Sequence, residues 1–151
     1  MIFISHRGNI DGSNEKLENS PSYVIQAIEK GFDVEIDVWL VDGRFFLGHD
    51  TPQYEVDSEF LKMPEAWCHA KNISALEALL SIGVNCFFHD VDEVVLTSER
   101  YMWTYPGKEI THRSIVVMPE NFEYNRQDID RAAGICSDFI HEHREKYVNN
   151  T

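Results

Sequence analysis

Phe32-Asp33-Val34-Glu35-Ile36-Asp37-Val38-Trp39-Leu40, running on into Val41-Asp42-Gly43-Arg44, is the stretch from which the rest of the chain can be read. Val34, Ile36, Val38 and Leu40 alternate strictly with Glu35, Asp37 and Trp39, the period of two that a β-strand imposes on its side chains. One face of this strand is apolar and the other carries two carboxylates. Asp42-Gly43 supplies the residues that a tight hairpin turn demands. The chain should therefore double back through Phe45-Phe46-Leu47 and stop at Gly48-His49-Asp50.

Upstream, Ile2 to Ser5 is a short apolar run that stops at His6-Arg7-Gly8, as a buried strand would. A polar loop from Asn9 to Asn19 leads to Ser20-Pro21-Ser22, a helix start. Tyr23, Ile25, Ala27 and Ile28 give that helix an apolar face, and Gly31 marks its end. Downstream, Ala66-Trp67-Cys68-His69-Ala70-Lys71 reads as a third strand. Ser74 to Ile82 has helical period and ends at Gly83, and Cys86-Phe87-Phe88 is the next strand. Beyond it come short apolar runs: 94–97, 102–105, 115–118 and 135–139, with one short helix over 125–133.

Strand, helix, strand, helix in the first half implies parallel strands with right-handed crossovers. The many short strands of the second half fit closure into a small, eroded TIM-type (β/α) barrel that lacks helices there. With 151 residues the chain is one domain, 1–151. Flanks stripped of helices suggest burial against a second copy, a homo-oligomer.

The composition narrows the function. A hydrophobic fraction of 43% with 12% aromatics fills a core, which excludes a disordered chain. Acidic residues outnumber basic ones 26 to 13, a net charge of -13, so the chain repels nucleic-acid backbones. No apolar run approaches the roughly 20 residues of a membrane span. The Met-Ile-Phe-Ile-Ser-His-Arg-Gly start does not read as a signal peptide. Cys68, Cys86 and Cys136 are scattered through apolar segments, without zinc spacing, and point to reduced thiols in the cytoplasm.

Polar residues recur where strands end: His6 and Arg7, Glu35 and Asp37, His49 and Asp50, His69 and Lys71. In a barrel such ends converge on one site. Glu35 and Asp37 repel one another unless a cation lies between them, which makes them candidate ligands of a divalent metal. Two histidines divide acid and base roles at neutral pH. Arg7 and Lys71 supply positive charge for an anionic phosphodiester.

His6-Arg7-Gly8, Glu18-Asn19-Ser20, Glu35-x-Asp37, Asp42-Gly43 and Gly48-His49-Asp50 together resemble the opening motifs of glycerophosphodiester phosphodiesterases, in that family's order. The resemblance is dense over residues 2 to 50 and looser beyond, where Gly134-Ile135-Cys136-Ser137-Asp138-Phe139 is similar to the family's last barrel strand. It implies a (β/α)₈ barrel with one divalent ion, Mg²⁺ or Ca²⁺. It makes His6 and His49 the acid–base pair, Glu35 and Asp37 metal ligands, and Arg7 a phosphate contact. Glu18 would stand beside the metal or organise the site with Asn19. His69 occupies the position of the family's third metal-binding glutamate, two residues before Lys71. Imidazole suits Mn²⁺ or Zn²⁺ better than Mg²⁺ or Ca²⁺.

The expected activity is hydrolysis of a small-molecule phosphodiester, glycerol-type or sugar-linked. The alternatives are a phosphate-ligand binding module without chemistry, or a lyase releasing a cyclic phosphate. Several residues carry two readings. Glu18 caps a helix or serves the site, Arg7 pairs a surface acid or a phosphate, and His69 is a ligand or a satisfied inward histidine. Asp50 and His89, in the acidic run His89-Asp90-Val91-Asp92, are turn caps or secondary site residues. Trp103 is core or pocket wall, and Glu120 could reach the site mouth.

Overall fold

The computed structural model describes residues 1–149. Its centre is β2 (Asp33–Val41), flanked on one edge by β1 (Ile2–His6) and on the other by β5 (Ala66–Ala70), both parallel to it. The helices α1 (Pro21–Glu29) and α3 (Ile73–Ile82) pack against this part of the sheet. Pro21 opens α1 at its first turn, with no side-chain cap from Ser20. The buried stripe of α1 is Val24 and Ala27, one turn of spacing, while Tyr23 and Ile25 lie at its margins. Asn72 caps α3 by accepting the Ala75 N–H at 2.9 Å, and Gly83 closes it in the left-handed region at φ 74°.

The expected hairpin forms: β3 (Arg44–Leu47) pairs antiparallel with the end of β2. Its turn places Asp42 at φ 50° and Gly43 at φ 74°, the two positive values of a primed turn. β4 (Tyr54–Val56) extends the hairpin, and α2 (Ser58–Leu61) leads the chain back to β5. β6 (Cys86–Phe88) pairs parallel with β5. β7 (Val94–Leu96) and β8 (Met102–Thr104) form an antiparallel pair, and β9 (Ser114–Val117) and β10 (Gly134–Ser137) continue in parallel back to β1. α4 (Arg126–Arg131) and α5 (Ile140–Val148) complete the chain.

The result is a mixed α/β structure with one ten-stranded sheet, eight strands of it in a continuous path, curled into a half-barrel. Among the described residues no ladder joins β6 to β7 or β8. That seam is stitched instead by Ser98, which donates its N–H to the Cys86 carbonyl at 2.8 Å and accepts the Cys86 N–H on Oγ at 2.9 Å. No described helix is long and apolar enough to cross a membrane.

Strand alternation builds two apolar layers. Ile4, Trp67, Phe87, Trp103, Ile115, Val117 and Cys136 fill the concave side. Val34, Ile36, Val38, Cys68 and Ala70 point outward and are covered by Val24, Ala27, Leu79 and Ile140 of the helices. Each fully buried Ile, Val or Leu here contributes roughly 1.5–3 kcal/mol. The three cysteines are free and buried.

The short helix expected over 125–133 is α4, but the second half also carries a helix that the sequence reading did not place. α5 covers β1 and β10, seating Ile140 at 0% exposure and laying Arg144 over the Phe32 ring at 3.9 Å. Its sequence, Ile140-His-Glu-His-Arg-Glu-Lys-Tyr-Val148, is mostly polar or charged. Ile140, the Arg144 cation–π contact and an edge contact of the Tyr147 ring on Phe3 at 5.8 Å do the packing, and so few apolar residues announce no continuous apolar face.

Candidate active site

Strand register assembles the site. His6 lies opposite Glu35 across β1 and β2, and Asp37 lies opposite His69 across β2 and β5. All four belong to the concave face by parity with Ile4 and Trp67. They sit above the apolar layer; His6, Glu35 and His69 line a cleft of about 510 Å³ with Arg7, His49, Lys71, His89 and Tyr105, while Asp37 is fully buried.

Asp37 is the centre of charge. Its Oδ2 accepts from Asn19 Nδ2 at 2.9 Å and lies 3.0 Å from Arg7 Nε; its Oδ1 lies 3.1 Å from His69 Nδ1 and 3.5 Å from Lys71 Nζ. The Arg7 and His69 approaches are ion pairs without aligned hydrogen bonds, since Arg7 Nε and Asp37 Oδ1 both lack a hydrogen-bond partner. Burial alone would raise the Asp37 carboxyl, yet His69, Arg7 and Lys71 hold it far below the usual range. Burial likewise works against a charged His69, but Asp37 and Glu35 lift its imidazole to about 9.

Glu35, Asp37 and His69 are buried and present one donor atom each within 4.8 Å of the others, an arrangement that could hold a metal ion. Glu35 Oε2, Asp37 Oδ1 and His69 Nε2 are buried without hydrogen-bond partners. Orphaned polar atoms of this kind are costly and rare in a folded core, and a cation satisfies them. Two carboxylates and an imidazole are a donor set for Mn²⁺ or Zn²⁺ as well as for harder ions. The residues present therefore fit the divalent ion.

Glu18, expected either beside the metal or as an organiser of the site with Asn19, is not part of this trio. Its carboxylate accepts from Asn9 Nδ2 at 2.8 Å, Ser13 Oγ at 2.9 Å and Arg7 NH1 at 3.2 Å. Those bonds keep it ionised below its ordinary range, against the effect of burial. It holds Arg7, and Asn19 holds Asp37, so this pair organises the site. Arg7 and Asn19 take up positive φ, 56° and 62°, and the Asn19 N–H donates to the Arg7 carbonyl at 3.0 Å. The tight turn next to them needs Gly8: at φ 94° a Cβ there would stand 2.6 Å from Tyr23 Cδ1.

His6 donates from Nδ1 to Asp138 Oδ1 at 2.8 Å, and its Nε2 lies 3.9 Å from Glu35 Oε2. Asp138 also accepts from Asn9 Nδ2 at 2.8 Å. Burial opposes charge on both partners, but their hydrogen bond raises His6 and lowers Asp138 from their ordinary values. The other expected acid–base residue, His49, lines the same cleft and pairs through Nδ1 with the exposed Asp50 at 2.8 Å. The peptide before it is fixed by Trp39 Nε1, which donates to the Gly48 carbonyl at 2.6 Å. At Gly48 a Cβ would run into the Thr51 carbonyl.

Among the secondary candidates, His89 lines the cleft with its ring stacked on Tyr105 at 4.5 Å and its buried Nδ1 unpartnered. Burial and then His69 lower its imidazole. Trp103 is 2% exposed and packs on Phe87 at 4.6 Å, so it is chiefly core beneath the cleft. Asn9, Tyr105, Ser137 and Asp138 were not singled out as site residues. The strand-end rule that marks His6 applies equally to Asp138 after β10; Asn9 carries no such signal, since only the loop fold brings it back to Glu18 and Asp138.

Set against protein-family models, curated proteins and solved structures, the chain matches none.

Proposed function

We propose that this chain is a metal-dependent phosphodiester hydrolase of the glycerophosphodiester phosphodiesterase type, acting on a glycerol-type or sugar-linked diester. The half-barrel is then an eroded TIM-type barrel with its seam at β6 and β8, and buried thiols suit a cytoplasmic chain. One observation carries the reading: two histidines, each tied through Nδ1 to an aspartate, face the same cleft as Glu35 and His69 of the trio. Arg7 and Lys71 line that cleft too.

In this reading one histidine accepts the proton of the attacking water as its oxygen bonds to phosphorus. The other gives a proton to the departing alkoxide as the phosphorus–oxygen bond breaks. Asp138 orients His6 so that Nε2 is the working nitrogen. Arg7 and Lys71 stabilise the charge on the pentacoordinate phosphorus. Glu35, Asp37 and His69 would hold a divalent ion, which would supply Lewis-acid charge neutralisation to the phosphoryl group. The cleft accommodates a small diester rather than a long acyl chain.

A specific observation favours a second reading, a binding module without turnover. Arg7 and Lys71 are both drawn to Asp37, at 3.0 and 3.5 Å, so the cations needed by phosphate are already engaged. The deciding experiment is turnover of bis(p-nitrophenyl) phosphate and of glycerophosphodiesters with Mg²⁺, Ca²⁺, Mn²⁺ and Zn²⁺ in parallel. Activity lost with chelator and with Glu35→Ala supports the hydrolase. A folded protein that turns over nothing with any metal supports the binding module. Phosphorus NMR of the products separates hydrolysis from release of a cyclic phosphate.

A further inference from the structure

We propose that Glu120 is a positioning residue for His6, acting through the Ser137–Asp138 segment at the end of β10. This rests on the reading of His6 as an acid–base group. Glu120 lies in the short 3-10 turn Pro119–Asn121 after β9, entered through Met118 at φ 46°. That residue is held in the left-handed region, a conformation that costs a side-chain-bearing residue about 1–3 kcal/mol. The turn directs the Glu120 carboxylate toward β10 while Val117 and Met118, not Glu120, line the cleft.

The bonds of Glu120 converge on two residues. Oε1 accepts from Ser137 Oγ at 2.9 Å and from the Asp138 N–H at 3.3 Å; Oε2 lies 3.0 Å from the same hydroxyl. Ser137 Oγ in turn accepts the Phe139 N–H at 2.9 Å. His143 of α5 approaches Glu120 Oε2 at 3.7 Å and fixes the carboxylate from behind. The backbone that carries Asp138 is thus held on both sides of its side chain. Asp138 then has one arrangement, spanning His6 Nδ1 and Asn9 Nδ2 at 2.8 Å each. Which nitrogen of a histidine carries its proton is set by the bond that the other nitrogen makes. Glu120 therefore determines the tautomer of His6 at one remove.

The test reads the tautomer of neutral His6 by long-range ¹H–¹⁵N NMR of the metal-free chain, and kcat and KM on bis(p-nitrophenyl) phosphate. Glu120→Ala moves His6 from the Nδ1–H form to a mixture and lowers kcat roughly tenfold with KM unchanged, a part of the roughly 10²- to 10⁴-fold that general acid–base catalysis contributes. Glu120→Gln, which keeps a carbonyl acceptor for Ser137 and Asp138, restores both. In a His6→Ala background Glu120→Ala causes no further loss. An unchanged His6 tautomer in folded Glu120→Ala overturns the proposal, as does an equal loss with and without His6. Should Glu120→Ala fail to fold, Glu120→Asp, one methylene shorter, is read in the same way. The NMR arm needs no turnover, so a chain without phosphodiesterase activity sinks the functional reading and still tests this one.

Discussion

His6 and Asp138, 132 residues apart in the chain, are joined by a 2.8 Å contact between Nδ1 and Oδ1. Asp138 is held below the ordinary carboxylate range, so it stays an acceptor and Nδ1 must be the donor. The remaining nitrogen, Nε2, is left toward Glu35 and the cleft. Asp138→Asn puts an amide where the acceptor stood and favours the wrong tautomer. We expect kcat to fall by about 10²-fold or more with the fold retained, measured by steady-state kinetics beside circular dichroism.

His6→Ala and His49→Ala should each lower kcat by roughly 10²- to 10⁴-fold. Their aspartates differ. The Asp138 side chain is 11% exposed, whereas the Asp50 side chain is 89% exposed. An exposed pair is screened by water and holds its partner weakly, so Asp50→Ala should cost less than about fivefold. Comparable losses from Asp50→Ala and Asp138→Asn would show that exposure does not set their importance.

The trio should bind one divalent ion per chain. Isothermal titration calorimetry should find Mn²⁺ or Zn²⁺ bound more tightly than Mg²⁺ or Ca²⁺, with binding abolished in Glu35→Ala. His69→Glu should reverse the preference, because a third carboxylate suits harder ions. Bound metal should also raise the thermal midpoint, and chelator should lower it. A midpoint indifferent to both would count against a resident ion.

Depressed carboxylates set the acid limb of stability, and two of them, Asp138 and Glu120, can be neutralised one at a time. Asp138 is lowered against burial by His6, and Glu120 is lowered against burial by His143 and Ser137. A group whose folded pKa is depressed stabilises the fold above its unfolded value and loses that contribution as pH falls through the folded value. Urea unfolding should therefore show stability declining below about pH 4. Asp138→Asn and Glu120→Gln should each flatten that decline.

Asn72 caps α3 and also bonds both the N–H and the carbonyl of Leu40, at 3.3 and 2.9 Å. Asn72→Ala removes all of these at once. We expect a loss of about 2 kcal/mol, read as a lower urea midpoint with unchanged slope.

Much of the first half could be read from single residues. The alternation over 32–40 placed β2 to within one residue at each end and put Glu35 and Asp37 on one face, because a strand's period is a local property. Asp42-Gly43 specified its turn for the same reason, as did Gly83 the end of α3. Glycine at 8 and 48 marked backbone turns beside His6 and His49. What local pattern did not contain was α5, whose few apolar residues are placed by packing on β1 and β10. Between the two roles open to Glu18, beside the metal or organising the site with Asn19, only the folded loop could choose, through its contact with Arg7.

The chain's own order of residues determined which side chains face the concave side of the sheet, since parity along each strand follows from backbone geometry alone. Tertiary structure decided which of them meet. Register between β1, β2 and β5 set His6 against Glu35 and Asp37 against His69, and the return of β10 beside β1 brought Asp138 to His6. Register and strand order are fixed by the sum of apolar burial over the whole sheet, and no single segment encodes such a sum.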